Sequence, residues 1–391
     1  ATEAGFTVKS ISRGGFATCA ILSTGSLKCW GYNDPGLLGQ GDTVRRGDNA
    51  SEMGDYLTTV DLGTGRKAKA VAIGYYHACA ILDNNRVKCW GGGGDGQLGL
   101  ENGNNRGDNP NEMGDNLPYV NLGTGRKAKT ISAGVFFTCA LLDNATVKCW
   151  GSNTDGELGY DDNVTRGDSD DPGHRMGNEL PAVNLGRKAK AVVAGGHHTC
   201  AILDNNSLKC WGSNYSGQLG NGDNTGSKQQ IGNATGEMAT LQPVDLGAGR
   251  TAKAVTAGAD HTCAILDNGT VKCWGDNEHG ELGQGSSTIA IGDSPDEMGD
   301  KLAPVNLGKG RRAKSISAGN NHVCAILDNG ALKCWGWNFY GQLGLGNSTV
   351  TDKDKIGDGA DEMGNNLVAV NLGKGRRAKS ITASSHSTCA I

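Results

Sequence analysis

The sequence predicts an all-β fold, a seven-bladed β-propeller with six complete blades and a partial seventh, and two observations carry that reading. An eleven-residue stretch, clearest as Cys263-Ala-Ile-Leu-Asp-Asn-Gly-Thr-Val-Lys-Cys273, occurs six times, each time followed by Trp-Gly, and a seventh begins at Cys389. Successive first cysteines lie 60, 60, 61, 63, 61 and 65 residues apart. A supersecondary unit of that size, with about four short strands, is a propeller blade rather than a solenoid turn. The 391 residues are expected to form one domain, with repeats beginning near residues 7, 67, 127, 188, 251, 312 and 377 and the last one truncated.

Each eleven-residue stretch reads as a β-hairpin around a three-residue turn such as Asp267-Asn268-Gly269, whose third place suits a residue with φ > 0. Pairing Leu266 with Thr270 puts Cys263 opposite Cys273 at a non-hydrogen-bonded pair, close enough for a disulfide. Six cross-strand disulfides are expected: Cys19 with Cys29, Cys79 with Cys89, Cys139 with Cys149, Cys200 with Cys210, Cys263 with Cys273 and Cys324 with Cys334. A metal site is the competing reading, because His77, His198, His261 and His322 stand two residues before their cysteines. Against it, the same place holds Ala17 and Phe137 in two repeats, and no Cys-x-x-Cys spacing occurs. Cys389 has no partner in the sequence, which ends at Ile391, and the repeat pattern leads one to expect that the polypeptide continues.

In the second repeat, residues 68–72 form the innermost strand, His77–Leu82 the second and residues 87–90 the third. A long insert, residues 91–117, precedes a fourth strand around Tyr119–Leu122. The chain resembles the regulator-of-chromosome-condensation repeat family, through Val255-Thr-Ala-Gly-Ala-Asp-His261-Thr-Cys-Ala-Ile265 and Trp30-Gly-Tyr-Asn33-Asp-Pro-Gly36-Leu-Leu-Gly39. Degenerate copies such as Trp211-Gly-Ser-Asn214-Tyr-Ser-Gly217-Gln-Leu-Gly220 recur in every repeat. The resemblance implies a seven-bladed propeller that binds proteins through a face of its disc. It also implies that the repeated His and Gly are packing and turn residues, with no catalytic role. The paired cysteines and the long insert depart from the family and argue against a nuclear exchange-factor role.

All six methionines fall one per insert, four of them in Glu-Met-Gly at Glu52, Glu112, Glu297 and Glu362. Asn109-Pro110-Asn111-Glu112 has the order of a capping box, so each insert is expected to hold one helical turn stopped by glycine and anchored by Met. Calcium is the sharper alternative, since Asp48, Glu52 and Asp55, or Asp108, Glu112 and Asp115, bring three carboxylates into eight residues; no Asp-x-Asp-x-Asp-Gly loop is present. Arg46-Gly-Asp48 and its two repeats spell a cell-adhesion tripeptide and are read as turns.

Alternating strand directions place the inserts on one face, acidic through Asp48, Glu52, Asp55, Asp108, Glu112, Asp115, Asp293, Glu297 and Asp300. The opposite face is expected to be basic through Arg66, Lys67, Arg126, Lys127, Arg187, Lys188, Arg250, Arg311, Arg312, Arg376 and Arg377. The net charge of −4 favours neither nucleic acid nor a membrane surface, and no apolar run is long enough to insert in a bilayer. Paired cysteines point to a secreted protein. The leading expectation is a non-catalytic extracellular structural or assembly module that docks through oppositely charged disc faces, including onto itself head to tail as a filament. A soluble protein-binding propeller is the first alternative. The second is a glycan binder using Trp30, Trp90, Trp150, Trp211, Trp274 and Trp335, whose fixed position after the second Cys suits blade packing better. Sequons such as Asn214 and Asn347 add the expectation of surface glycosylation if the source glycosylates.

Overall fold

The computed structural model describes residues 7–226, 229–346 and 354–391, so Asn347 lies outside the described residues. The chain separates into two compact units, residues 1–154 with 163–183 and residues 155–162 with 184–391. The first holds three antiparallel sheets, each built on one repeat: Val8–Arg13, Ala17–Leu22 and Leu27–Gly31; Ala68–Ile73, His77–Leu82 and Val87–Gly91; Ala128–Ala133, Phe137–Leu142 and Val147–Gly151. The second holds three four-stranded sheets and a two-stranded one, Ile381–Ala383 with Thr388–Ala390. These are propeller blades.

The expected hairpin register is the observed one. Cys263 pairs with Cys273, Ala264 with Lys272 and Ile265 with Val271, and every other complete hairpin repeats the pattern. The third turn residue has φ > 0 even where it is Ala145. All six disulfides are closed, each with Cα atoms 4.1 Å apart across ten residues of sequence, and their cysteines are buried.

The fourth strand is where the sequence reading needs correction. It begins inside the expected insert, opposite the end of the third strand: Arg46 bridges Gly31, Arg106 bridges Gly91 and Arg166 bridges Gly151, while Gln230–Ile231, Ala290–Ile291 and Lys355–Ile356 pair with Ser213 and Gly212, Asp276 and Gly275, and Trp337 and Gly336. Val120 then donates to the Val87 carbonyl at 2.9 Å, completing the same edge. The Glu-Met segment between these points is an excursion from the outer strand rather than a face loop. The adhesion-like tripeptide accordingly starts with a strand residue, and Arg166 is buried.

Within the excursion the glutamate does reach back as a capping box requires. Glu52 Oε2 accepts the N–H groups of Gly47, Asp48 and Asn49 at 2.8, 3.2 and 3.1 Å. Those bonds, from Gly47 first and then Asn49, hold its pKa down to about 2. The helical turn lies after the glycine, however, as 3-10 segments Gly54–Tyr56, Gly114–Asn116 and Gly299–Lys301. A lysine that sequence reasoning passed over ties this turn down. Lys88 Nζ donates to Leu62 O at 3.1 Å and to Gly114 O at 2.6 Å, and Lys148, Lys272 and Lys333 repeat the clamp.

Successive blades within a unit are joined by a clasp. The loop after the third strand carries Gly-x-Leu-Gly, and the carbonyl of its second residue accepts the indole N–H of the next blade's tryptophan. Leu37 O receives Trp90 and Gln97 O receives Trp150; in the second unit Glu157 O, Gln218 O and Glu281 O receive Trp211, Trp274 and Trp335, all at 2.9–3.0 Å. Close approach requires glycine here: a Cβ on Gly36 would lie 2.4 Å from Asp108 N, and one on Gly99 would lie 2.8 Å from Trp150 Nε1. Met113 and Met176 cover the same indoles. Asn214, one of the sequons, is fully buried shaping this loop, with its Oδ1 accepting Leu219 N–H at 3.0 Å.

Histidine completes the seam. Thr138 Oγ1 donates its single proton to Gln97 O at 3.0 Å, so at 2.8 Å it must accept from His77 Nε2–H. His198, Thr262 and Gln218 O form the same relay at 2.9 Å for each step. His77, His198 and His261 are fully buried, and burial lowers their pKa values to about 3, 3 and 4.

Candidate functional site

At the expected basic end the loop arginines meet carboxylates of their own repeat. Arg66 pairs with Asp83 at 3.3 Å, and Arg126, Arg187, Arg250 and Arg311 pair with Asp143, Asp204, Asp267 and Asp328 at 3.4, 2.6, 3.1 and 3.3 Å. Each aspartate opens the neighbouring hairpin turn, so the expected basic end carries its own counter-charges. Lys67, Lys127, Lys188, Arg376 and Arg377 are exposed there, and the stem of Arg312 lies against the turn glycine Gly269. On the acidic side, Asp115 accepts the N–H of Thr64 at 3.0 Å, and the Thr64 bonds first, then the Lys88 and Arg66 cations, lower its pKa. Asp300 likewise accepts from Ala248 N at 3.1 Å. Glu112 and Glu297 cap backbone N–H groups as Glu52 does. Asp48, Asp55, Asp108 and Asp293 belong to the same outer excursions. Asp115 and Asp300 thus meet the loops that carry Arg66 and Arg250, while Asp48 lies beside Tyr32 and Tyr76 at the other end of its blade.

The other end of the blades, where the first strand turns into the second and the third runs into the clasp, differs from repeat to repeat. The backbone recurs, yet the residue opening the second strand's turn is Phe16, Tyr76, Phe136, His197, Asp260, Asn321 and His386 in order. In the first unit this makes an aromatic surface. Phe16 lies 4.7 Å from Tyr75 edge-on and 5.6 Å from both Tyr32 and Tyr76, while Tyr76 stacks on Phe136 at 6.1 Å. Arg45 sits 5.0 Å over the Tyr32 ring. A cavity of about 550 Å³ opens beside it, lined by Phe16, Trp30, Tyr32, Arg45, Gly47, Asp48 and Tyr76 among others. Trp90, Trp150, Trp211, Trp274 and Trp335 are fully buried, whereas Trp30 is partly exposed and Met53 is 42% exposed.

In the second unit the same positions are polar. Asp155 lies 3.6 Å from His197, Gln218 donates to Asp260 at 3.0 Å, and Asn321 donates to Glu281 at 3.3 Å. Burial, and then the neighbouring Asp276, push Glu281 up to about 8. Further along, Trp337 stacks with Phe339 at 6.1 Å and meets Tyr340 edge-on at 5.3 Å, the latter two more than half exposed. Sequence reasoning missed both groups because it weighed what recurs; the signal was in the turn residue that does not.

The sequence matches the family model described as RCC1-like domain across residues 2–390. It is 28% identical over 343 residues to the ultraviolet-B receptor UVR8 of Arabidopsis thaliana, covering 86% of this chain and 67% of that one. To the human E3 ubiquitin-protein ligase HERC2 it is 25% identical over 366 residues, 92% of this chain and only 7% of that protein. The fold is similar to that of yeast RCC1 (Prp20) in its crystal structure with Kap60, with a TM-score of 0.72, 18% identity and coverage of 99% and 80% of the two chains. It is also similar to the CRINKLY WD40 ectodomain of the Arabidopsis thaliana receptor kinase ACR4, with a TM-score of 0.50, 17% identity and coverage of 99% and 92%.

Proposed function

We propose that this chain, which belongs to the RCC1-like domain family of β-propellers, is a non-catalytic protein-binding module of an oxidising, extracellular compartment, with its partner seated on the aromatic turn surface of the first unit. The observation that carries this is the Phe16, Tyr32, Tyr75, Tyr76 and Phe136 group. It occupies the positions where otherwise uniform repeats diverge, and large rigid rings on an exposed surface supply binding area at low entropic cost. RCC1-like propellers are protein-interaction folds, and yeast RCC1 (Prp20) is seen bound to Kap60. The absence of catalysis is supported by how the recurring reactive groups are used: the twelve cysteines of the complete hairpins are joined as disulfides and the repeated histidines are sealed in the blade seams. The compartment is supported by six buried disulfides and by the likeness in fold to a receptor-kinase ectodomain.

The test is site-specific photocrosslinking in the native source. A benzophenone side chain at Tyr75 or Phe136 should label one protein that the same group at Asn144, on the hairpin-turn end, does not. Equal labelling from both ends, or none from the aromatic end, would overturn the reading.

A further inference from the structure

In five blades the leucine that follows the Glu-Met excursion is sealed: Leu57, Leu117, Leu180, Leu302 and Leu367 are 1 to 3% exposed. The residue just after the clasp glycine helps to close this side of the blade. In the first and fifth blades it is a glutamine that reaches across to the residue following the leucine. Gln40 Nε2 donates to Thr58 O at 3.4 Å, Thr58 Oγ1 returns a bond to Gln40 Oε1, and Gln284 Nε2 donates to Ala303 O at 3.1 Å. The second and sixth blades carry Leu100 and Leu345 at that place, packed against the core.

The fourth blade departs from this in two ways. Its counterpart residue, Asn221, is a methylene shorter, and its Oδ1 accepts from Asn214 Nδ2 at 3.0 Å and from Asp223 N–H at 3.3 Å within its own loop. The Gln242 carbonyl, counterpart of Thr58 O and Ala303 O, takes no hydrogen bond among the described residues. In addition, Met238 and Leu241 are one residue closer in sequence than Met298 and Leu302, and the segment forms the helical turn Glu237–Thr240 instead of a 3-10 segment. Lys209 accordingly keeps half of the lysine clamp, donating to Leu185 O alone at 3.2 Å. Leu241 is left partly exposed, as is Val244, whose counterparts Val60, Val120, Val183 and Val305 are buried. Both line a cavity of about 620 Å³, a size typical of ligand sites. Ile231 and Met298 extend its apolar wall, while Asp223, Glu237, Asp245, Asp296 and Asp300 line it with the one cation Lys301. Lys272 stands close to Asp245 and Asp300 and offsets part of their charge, and Asp296 meets no cation among the described residues.

We propose that this cavity in the fourth blade is a receptor for a basic side chain, arginine or lysine, on an extended segment of a partner protein. The neighbouring blades define what the empty place takes: an aliphatic stem that ends in an N–H donor, as Gln40 and Gln284 supply. Arginine and lysine have that stem and that donor, and their charge answers the excess of carboxylates around the cavity. The stem lies on Leu241 and Val244, the head reaches the Gln242 carbonyl and the carboxylates around it, and apolar residues on either side of the basic one cover Ile231 and Met298. The site lies in the second unit and does not rest on the aromatic surface of the first, so labelling from Tyr75 or Phe136 and occupancy of this cavity are independent observations.

The experiment is isothermal titration of the full chain, disulfides intact, with the peptide acetyl-Gly-Leu-Arg-Leu-Gly-amide and with the same peptide carrying citrulline, which keeps the stem and the donor but not the charge. Two variants use residues that this chain already carries at equivalent places. Asn221→Gln restores the bridge made by Gln40 and Gln284. A triple variant, Asp245→Asn with Asp296→Asn and Asp300→Asn, copies Asn121, Asn111 and Asn178; Asn111 shares the positive φ of Asp296, 67° against 66°. It leaves carboxylates and lysines around the cavity in balance. The arginine peptide should bind one to one, at least about tenfold tighter than the citrulline peptide, and more weakly as salt is raised. The triple variant should bring the arginine peptide to the citrulline level, and Asn221→Gln should weaken both peptides at least about tenfold. Unchanged thermal unfolding of the variants separates lost docking from lost folding. An arginine peptide that gives no saturable heat, equal affinity for the two peptides, or wild-type binding by either variant would overturn the proposal.

Discussion

Acid should weaken this protein through its buried histidines, and His77 allows the effect to be isolated. In the folded state its Nε2–H is held by Thr138 and its ring is fully buried, so it takes a proton only near pH 3. The unfolded chain takes one near pH 6.5. Because the folded pKa is depressed, the stability this group confers is complete above about pH 6.5 and is lost as pH falls toward 3, at about 1.4 kcal/mol per pH unit. At pH 5 the loss is about 2 kcal/mol for His77, and about 6 kcal/mol for His77, His198 and His261 together, a large share of a typical unfolding free energy. The informative variant is His77→Phe, since Phe137 already fills the equivalent place in the third repeat. At pH 7.5 the variant should lose about 1 kcal/mol with the hydrogen bond to Thr138. At pH 5 it should be the more stable protein, with the curves crossing at about pH 6. Urea unfolding at half-unit pH steps measures this directly. A variant whose stability parallels the wild type from pH 7.5 to 5 would show that His77 is not a neutral group sealed in the seam.

Three further outcomes follow from the seams and hairpins. Across the seam from His261 the relay residue is Val323, which is fully buried and lacks a hydroxyl; Val323→Thr should add about 1 kcal/mol by bridging His261 and Glu281 O, and a destabilised variant would mean the hydroxyl fails to reach them. Gly99→Ala puts a Cβ 2.8 Å from Trp150 Nε1 and 3.0 Å from Met176 Cε at φ +63°, and should cost about 2 to 4 kcal/mol in thermal or urea unfolding; a neutral result would mean the clasp shifts freely. Intact mass before and after reduction should differ by twelve hydrogens, one pair for each of the six disulfides; a smaller difference would mean native thiols.

What the sequence made legible is what a single repeat contains. The hairpin register, the Cys263 to Cys273 pairing and the all-β class follow from period-two alternation and turn chemistry inside eleven residues. The fourth strand was misplaced because it enters on one bridged pair, such as Arg106 with Gly91, and then leaves the sheet before returning at Val120; so brief a pairing has no alternation to betray it. Lys88, Thr138 and Gly36 act on neighbouring repeats, and their partners lie far away in sequence, so a reading of one repeat could see only a polar strand residue, a β-former and a turn former. Comparing the repeats column by column would have exposed the aromatic surface, since Phe16, Tyr76 and Phe136 share a column with His197 and Asp260.

Each disulfide spans only ten residues and closes a hairpin on itself, so among the described residues no disulfide links one blade to another. For the first cysteine of each hairpin entering an oxidising compartment from the N-terminus, the correct partner is the next to emerge, and roughly fifty residues separate that pair from the following one. Vectorial oxidation therefore yields the native set without a shuffling step. The same arrangement means that a protease cutting an excursion would leave fragments with no disulfide between them, held by the outer-strand and seam hydrogen bonds, of which the histidine relays are the part that acid weakens.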